Sequence, residues 1–151
     1  MTGLFSHKNG LDHRPPAGHP ESPDRLRAVL AALAAPRFAS LRREEAPRAE
    51  RASLLAVHDE AHVDAVLGSL DEEARQNGLA FIDADTVMSP GSSEAALRAA
   101  GAVVRAVDRV AHGEMKNAFC AVRPPGHHAP QDRAMGFCLF NNVAVGAFHA
   151  R

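Results

Sequence analysis

The chain has 151 residues, of which 46% are hydrophobic and 23% are charged, and its formal net charge at pH 7 is −1. This length suits one domain, the composition excludes a disordered chain, and the balanced charge gives no indication of a nucleic-acid partner. The N-terminus is too short and polar for a secretory signal, and no apolar run reaches the roughly 20 residues that span a membrane. We therefore expect a cytoplasmic protein with reduced thiols and no membrane partner.

The N-terminal part of the chain predicts one strand, one loop and one helix. Gly3–His7 is a short apolar run that predicts the first strand, and a segment rich in Pro, Gly and Asn follows as a loop. Ser22 can cap a helix whose first residue is Pro23, and Pro36 ends that helix. An apolar stripe with the spacing i, i+3, i+4 and i+7 runs along it: Leu26, Val29, Leu30 and Leu33.

The middle of the chain predicts a second strand and two helices. Ser53–His58 is a short apolar run that predicts a strand. Asp59 can cap a helix that ends at Asn77-Gly78 and carries apolar residues along its length: Val63, Val66 and Leu67. After a loop, Ser92 can cap a long helix with apolar side chains along one side: Leu97, Ala100, Val104, Val107 and Ala111.

A third strand is predicted over Ala118–Val122, which the segment RPPG ends abruptly. Strands that alternate with helices of ten or more residues indicate an α/β fold with a parallel sheet. In such sheets ligands bind where the carboxyl ends of the strands run into loops. The segment RPPGHH, which directly follows the third strand, therefore occupies a position that suits a functional site.

The C-terminal helix has a predicted start but no predicted end. Asn141 or Asn142 can cap a helix that carries Val143, Val145 and Phe148, and no Gly, Asn or Pro closes it before Arg151. Three strands also make a thin parallel sheet. We expect residues 1–151 to be the N-terminal part of one truncated domain; a natural terminal helix that frays is the alternative.

Two histidines lie four residues apart in the segment HDEAH, His58 to His62. This spacing can bring two imidazoles to one metal ion on a helix face. The segment is not a zincin motif, because Asp59 rather than Glu follows the first His, and Ala61 excludes the inverted motif. We expect a solvated pair at a helix start, with a small metal-binding module as the weaker alternative.

Another histidine pair, His127 and His128, lies in a bend made of two prolines and a glycine. Adjacent side chains of a regular strand point to opposite faces, but in such a bend both can turn toward one cavity. Imidazole titrates near neutrality, so a pair can deprotonate a water and protonate a leaving group. The alternative is a pair that hydrogen-bonds its own loop. Downstream, Gly136 could allow close backbone approach and Phe137 could form an apolar wall.

The loop before the long helix carries two acidic residues, Asp83 and Asp85. Two residues apart on an irregular segment, they can point the same way and hold substrate amides or a cation. The alternative is that they cap their own loop in an Asx turn, which is common for Asp in such segments. The residues alone leave both interpretations open.

The segments RPPGHHA and DRAMGFCLFNNVAV resemble the zinc-dependent histone deacetylase family in its bacterial branch, which includes acetylpolyamine amidohydrolases. GHPESPDRL (Gly18–Leu26) and DADTVMSPGS match less specific segments of the same family, and the match is collinear along the chain. The resemblance implies an α/β three-layer sandwich around a parallel sheet, of the arginase/deacetylase type. It also implies a hydrolase that removes acetyl groups from acetyl-lysine or acetylated polyamines.

The resemblance implies catalytic roles for the histidine pair. His128 would match the family's general base, which then serves as general acid, and His127 would match the histidine that supports the transition state electrostatically. Arg25 would match an arginine near an inner cavity through which product leaves.

The resemblance also implies three substrate-binding residues. Gly136 would match a glycine whose carbonyl meets the acyl-lysine amide, and Phe137 one aromatic wall of the substrate tunnel. Asp85, or alternatively Asp83, would match the rim aspartate that holds the substrate backbone.

Other family features find no match in residues 1–151. The zinc ligands, the carboxylates that orient the histidines and a catalytic tyrosine would follow Arg151, and the chain contains no Tyr. We therefore expect Zn²⁺ for a full-length family member, no metal ligands in this chain, and negligible activity of the chain alone. The alternative is an inert remnant or a non-enzymatic interaction protein that self-associates through an exposed sheet edge.

Overall fold

The computed structural model describes all residues, 1–151. Five strands and six helices follow one another along the chain. The strands are β1 (Thr2–Ser6), β2 (Arg42–Glu45), β3 (Ala80–Phe81), β4 (Val87–Met88) and β5 (Asn117–Ala121). The helices are α1 (Pro23–Leu33), α2 (Arg51–Leu55), α3 (Glu60–Asp64), α4 (Leu70–Asn77), α5 (Ser92–Ala111) and α6 (Asn142–His149). A π-helical turn, Ala65–Ser69, joins α3 to α4.

A parallel sheet of three strands, in the order β2-β1-β5, forms the centre of the fold. Successive side chains of β1 point to opposite faces of this sheet. Leu4 packs with Leu26 of α1 on one face, and Phe5 packs with Ala102 and Ala106 of α5 on the other. The predicted α/β fold with a parallel sheet between helix layers is therefore confirmed.

The predicted second strand, Ser53–His58, is wrong, because residues 51–55 form α2. Within this segment Leu54 and His58 are buried, four residues apart, which is a helical period rather than the alternation of a strand. The true second strand, Arg42–Glu45, consists of charged residues only. Glu44 lies there within ion-pair distance of Arg42 and of Arg109 on α5. A charged strand at a sheet edge carries no hydrophobic alternation, so the pattern could not reveal it.

The predicted first and last helices are both confirmed, but the predicted N-cap hydrogen bond is made only in the last one. Helix α1 begins at Pro23, but the Ser22 side chain makes no capping hydrogen bond, and Val29 of the predicted stripe is exposed. Helix α6 begins at Asn142, and the Asn141 side chain accepts a hydrogen bond from the Ala144 amide, as expected for an N-cap.

The long helix α5 begins one residue earlier than predicted. Gly91, with φ +94°, is its N-cap, and Ser92 is the first helical residue. Ser92 Oγ accepts a hydrogen bond from the Ser89 amide instead of capping in the usual way. The segment before α5, which was predicted to be a loop, includes the two-residue strands β3 and β4, which pair antiparallel.

A second hydrophobic core lies beside the sheet and supports the loop after β5. It includes Leu54 from α2, Val63 from α3, Leu97 from α5 and Phe140 from the loop, all buried. The predicted helix end at Asn77-Gly78 is confirmed, since Gly78 has φ +84°. None of the helices combines the length and apolar character that crossing a membrane requires.

Candidate active site

The loop from Val122 to Asn141 follows the carboxyl end of β5, and a buried ion pair anchors its start. Arg123 donates one hydrogen bond of 2.6 Å to each carboxylate oxygen of Glu21, and both side chains are buried. Arg123 also donates to the carbonyl oxygens of Gly10 and His13. The peptide bond that follows, Arg123-Pro124, is cis. The loop is thereby attached to the segment between β1 and α1.

His13 lies beside this ion pair and is buried. Its Nε2 is 3.5 Å from a Glu21 carboxylate oxygen, and its Nδ1 is 2.7 Å from Ser92 Oγ at the start of α5. Burial, together with the nearby Arg123 and His19, lowers the pKa of His13 to about 3. His13 is therefore neutral at pH 7 and connects the anchor of the loop to α5.

His127 and His128 lie side by side on the exposed surface of the loop. Their ring centroids are 4.2 Å apart and the ring planes are inclined by 49°. Both rings are exposed, and neither makes a hydrogen bond to another group of the chain. The alternative interpretation, that the pair hydrogen-bonds its own loop, is therefore wrong. Four ring nitrogens are left for water, substrate or another chain segment.

A tight turn, Met135–Cys138, packs against His128. Its ends exchange two backbone hydrogen bonds, and the central residues Gly136 and Phe137 have φ values of +58° and +69°. These angles belong to a type I′ turn, which strains a residue such as Phe but not Gly. A Cβ at position 136 would lie 2.7 Å from His128 Cβ, so only glycine lets the turn approach the histidine this closely.

Phe137 and Asp85, both predicted substrate-binding residues, come together through two residues that the sequence did not single out. The Phe137 amide donates to Thr86 Oγ1, and Thr86 Oγ1 donates to the Asp85 carboxylate, at 3.2 Å each. The His19 ring packs edge-on against Phe137 at 4.9 Å, and its Nε2 donates to the Asp85 carbonyl. GHPESP could have indicated His19 as a rim residue, but no sequence signal pairs it with Phe137.

Asp83 caps its own loop in an Asx turn, which is one of the two possibilities that the sequence left open. Its carboxylate accepts hydrogen bonds from the amides of Asp85 and Thr86, 2.9 and 2.7 Å long. Asp83 therefore shapes the loop that presents Asp85, and Asp85 remains the better candidate for a rim aspartate. Arg25, which was matched by resemblance alone, lines a cleft of ≈ 230 Å³ together with Glu21, Phe119 and Arg123.

The expectation that His58 and His62 form a solvated pair is wrong. Their side chains are buried, with rings 4.9 Å apart, and both hydrogen-bond the backbone of the loop after β5. Burial lowers the pKa of both imidazoles. They lie against the loop because the single-turn helix α2 and the bend after it turn His58 inward, which a strand prediction could not show.

The side chains of this chain do not fit a zinc site by themselves. Nowhere do three or more His, Cys, Asp or Glu side chains come together in a way that could hold a metal ion. Zinc requires about four ligands in a structural site and three protein ligands in a catalytic one. Hydrogen bonds to the loop occupy both ring nitrogens of His58 and Nε2 of His62, and His127 and His128 have no carboxylate partner.

Comparison with known proteins gives the same assignment over nearly the whole chain. Residues 19–151 match the family model described as histone deacetylase domain. Histone deacetylase 5 of Arabidopsis thaliana is 41% identical over 153 residues, which cover 96% of this chain and 23% of that protein. The histone deacetylase-like amidohydrolase of Pseudomonas aeruginosa is 38% identical over 87% of this chain and 34% of its own length.

An archaeal relative and a solved structure extend this similarity. A probable deacetylase of Archaeoglobus fulgidus is 35% identical over 96% of the chain and 40% of its own length. The crystal structure of the HDA15 HD domain superposes with a TM-score of 0.91 at 37% identity, over 99% of this chain and 42% of that one. The chain thus spans between 23% and 40% of the length of these curated relatives.

The matched residues include the whole loop that carries His127, His128, Gly136 and Phe137, as well as the segment with His19, Asp85 and Thr86. The parallel sheet and its flanking helices are shared with the HDA15 HD domain. With the family model covering most of its length and the fold agreeing throughout, this chain belongs to the histone deacetylase family.

Proposed function

We propose that this chain supplies the proton-transfer pair and part of the substrate tunnel of a hydrolase that removes acetyl groups from acetyl-lysine or acetylated polyamines. The observation that carries the proposal is the packing of His128 against Gly136, beside His127 and Phe137, at the carboxyl end of β5. Two exposed imidazoles without internal partners suit proton transfer. They lie at the edge of a parallel sheet where ligands of α/β proteins bind.

The family resemblance implies different roles for the two histidines of the pair. His128 would accept a proton from the attacking water as the C–O bond forms, and then donate it to the amine as the C–N bond breaks. His127, 4.2 Å away between ring centroids, would stabilise developing negative charge at the acyl group. An acetyl-lysine amide N–H could donate to the Gly136 carbonyl, which also accepts from the Cys138 thiol at 3.2 Å and has a second lone pair free.

Phe137 and Asp85 would act on the rest of the substrate. The Phe137 ring packs against His19, and the Phe137 backbone amide is held by Thr86; the ring would form one wall against the lysine or polyamine methylenes. The exposed Asp85 carboxylate would accept hydrogen bonds from the substrate backbone or charge-pair with a polyamine. Zn²⁺, which the family resemblance implies, would have to be held by residues outside this chain, because residues 1–151 do not fit a zinc site.

The proposal predicts that residues 1–151 alone are inactive. After dialysis against zinc, elemental analysis of the purified chain is expected to find far less than one zinc per chain. Acetyl-lysine peptides and acetylpolyamines should not be turned over above the rate without protein. One tightly bound zinc together with deacetylation would overturn this prediction.

The roles of the histidines can be tested in a chimera. Residues 19–151 would replace the matching segment of the Pseudomonas aeruginosa amidohydrolase. We expect the chimera to hydrolyse acetyl-lysine and His128→Ala to lower its kcat by about 10²–10⁴-fold, the usual contribution of general acid–base catalysis. His112→Ala, at the exposed end of α5, is the matched control and should leave kcat unchanged. A His128→Ala chimera with full kcat would contradict the assignment.

A non-catalytic role through chain association is the second candidate, because the outer edge of β5 is unpaired. Unlike the charged edge strand β2, β5 carries no charged residue, and the Phe119 side chain is 51% exposed. Uncharged open edges pair with other strands. We expect the chain to self-associate at micromolar concentration in light scattering, and Phe119→Lys to reduce this. Phe81→Lys, at another exposed phenylalanine, is the control; equal effects of both variants would argue against the edge.

A further inference from the structure

His58 and His62, which play no part in the proposed chemistry, lie beneath the loop that carries the site. Both side chains are buried, at 3% and 6% exposure, and their rings contact each other and the Phe140 ring at centroid distances of 4.9 to 5.7 Å. A buried imidazole is costly unless its nitrogens are hydrogen-bonded. What these nitrogens bind therefore indicates what the pair does.

Three hydrogen bonds connect the two rings to both ends of the segment 131–141. His58 Nδ1 donates to the Gln131 carbonyl at 3.2 Å, and His58 Nε2 accepts from the Asn141 amide at 2.9 Å. His62 Nε2 donates to the Leu139 carbonyl at 2.8 Å. His58 thus bridges two backbone positions that are ten residues apart, and His62 binds the backbone two residues before the second of them.

The segment closed in this way contains the turn that packs on His128. The Asp59 amide donates to the Gln131 carbonyl, and the Gln131 side chain donates back to the Asp59 carboxylate. At the other end, the Asn141 side chain donates to the carbonyl of Ala129, the residue after His128. Gly136 and Phe137 are therefore fixed at the tip of a loop whose base depends on His58.

We propose that His58 and His62 are positioning residues, which hold the base of the segment 131–141 closed so that Gly136 and Phe137 remain against His128. Their consequence for catalysis rests on the proposed function, whereas the clamp itself can be tested in the chain without any turnover. Neither histidine touches the substrate position, and both act through the backbone of the loop.

The clamp requires a neutral imidazole at His58, because one of its ring nitrogens accepts a hydrogen bond. A protonated His58 would carry N–H groups on both nitrogens, and its Nε2–H would face the Asn141 N–H that it now accepts from. Burial lowers the pKa of both histidines, each histidine is close to the other, and the facing charged groups are Asp59 and Asp132. Because the folded pKa values are below the ordinary 6.5, the stabilisation is complete above pH 6.5 and is lost as the pH falls through the lowered values.

The test is NMR spectroscopy of the ¹⁵N-labelled 151-residue chain. In the wild type above pH 7, the imidazole nitrogens should show a neutral His58 protonated on Nδ1 and a neutral His62 protonated on Nε2. As the pH is lowered, the amide signals of Phe137 and Cys138 should change with the midpoint of His58. If these amides are unaffected while His58 titrates, or if His58 is charged at pH 7, the proposal fails.

Variants give a second, independent measurement. His58→Ala should speed amide hydrogen exchange at Phe137 and Cys138 on the order of tenfold, since the partly buried Asn141 amide at the base of the segment loses its partner. Amides of β1 and α5 should exchange at wild-type rates. His58→Gln, whose amide oxygen can accept from Asn141, should restore part of the protection, and His112→Ala should change nothing. Unchanged exchange at Phe137, or an equal increase in β1 and α5, would contradict the clamp.

Discussion

Replacing Arg123 with methionine is expected to lower the free energy of unfolding by about 3–5 kcal/mol, measured by urea denaturation. The substitution keeps most of the volume of the side chain but leaves Glu21 buried at 2% exposure without its partner. It also removes the hydrogen bonds to the carbonyls of Gly10 and His13. Since these contacts anchor the loop after β5, the signals of His127 and His128 should shift as well.

Two further variants separate the buried pair from charge effects in general. Arg27→Met breaks the exposed ion pair with Asp24, and it should change stability by no more than about 1 kcal/mol. In the double variant Glu21→Gln with Arg123→Met the lone buried charge is gone, so part of the loss should be recovered. If Arg123→Met costs no more than Arg27→Met, the loop is not anchored by this ion pair.

Replacing Gly126 with alanine is expected to displace the loop after β5 from the start of α6. The added Cβ would lie 2.5 Å from the Asn142 nitrogen and 2.5 Å from the Phe140 carbonyl oxygen, which are backbone atoms that cannot rotate away. Overpacking of this kind costs about 1–3 kcal/mol. Amide signals of His127, His128 and Asn142 should shift, together with a lower urea midpoint.

Gly68→Ala is the matched control for this substitution. Gly68 lies in the π-helical turn, and nothing is within 4 Å of the Cβ that alanine would add. Because alanine favours helical backbone over glycine by about 1 kcal/mol, this variant should be as stable as the wild type or slightly more so. A Gly126→Ala chain with an unchanged urea midpoint and unchanged loop signals would show that the loop tolerates a side chain at this contact.

Most of the sheet could be predicted from the sequence, and one strand could not. Thr2–Ser6 and Asn117–Ala121 are short, largely apolar segments between polar ones, and the predicted bounds of each strand lie one residue further along the chain. The charged strand Arg42–Glu45 carries no apolar pattern, because its contacts are ion pairs with α5 that only the folded chain brings together. Ser53–His58 was misassigned because so short an apolar run has no period that separates helix from strand.

The part of the candidate site that lies in a single loop could be predicted from the sequence. His127, His128, Gly136 and Phe137 lie within a dozen residues of one another, in a segment with unusual Pro, Gly and His content. His19, Thr86 and His58 come from three other segments, and each acts through a contact with backbone or ring atoms of that loop. Such contacts depend on tertiary packing between distant segments, so no residue spacing in the sequence indicates them.

The strand order of the central sheet has a consequence for how the chain folds during synthesis. Strand β1 pairs with β2 early, but its other partner begins only at Asn117, so β1 keeps one open edge while most of the chain is made. Closing so long a loop is slow, and exposed edges in the meantime promote aggregation. The histidine pair follows β5 in the chain, so it is also made after this long loop. Slow translation before residue 117 would therefore prolong the interval in which β1 keeps an open edge.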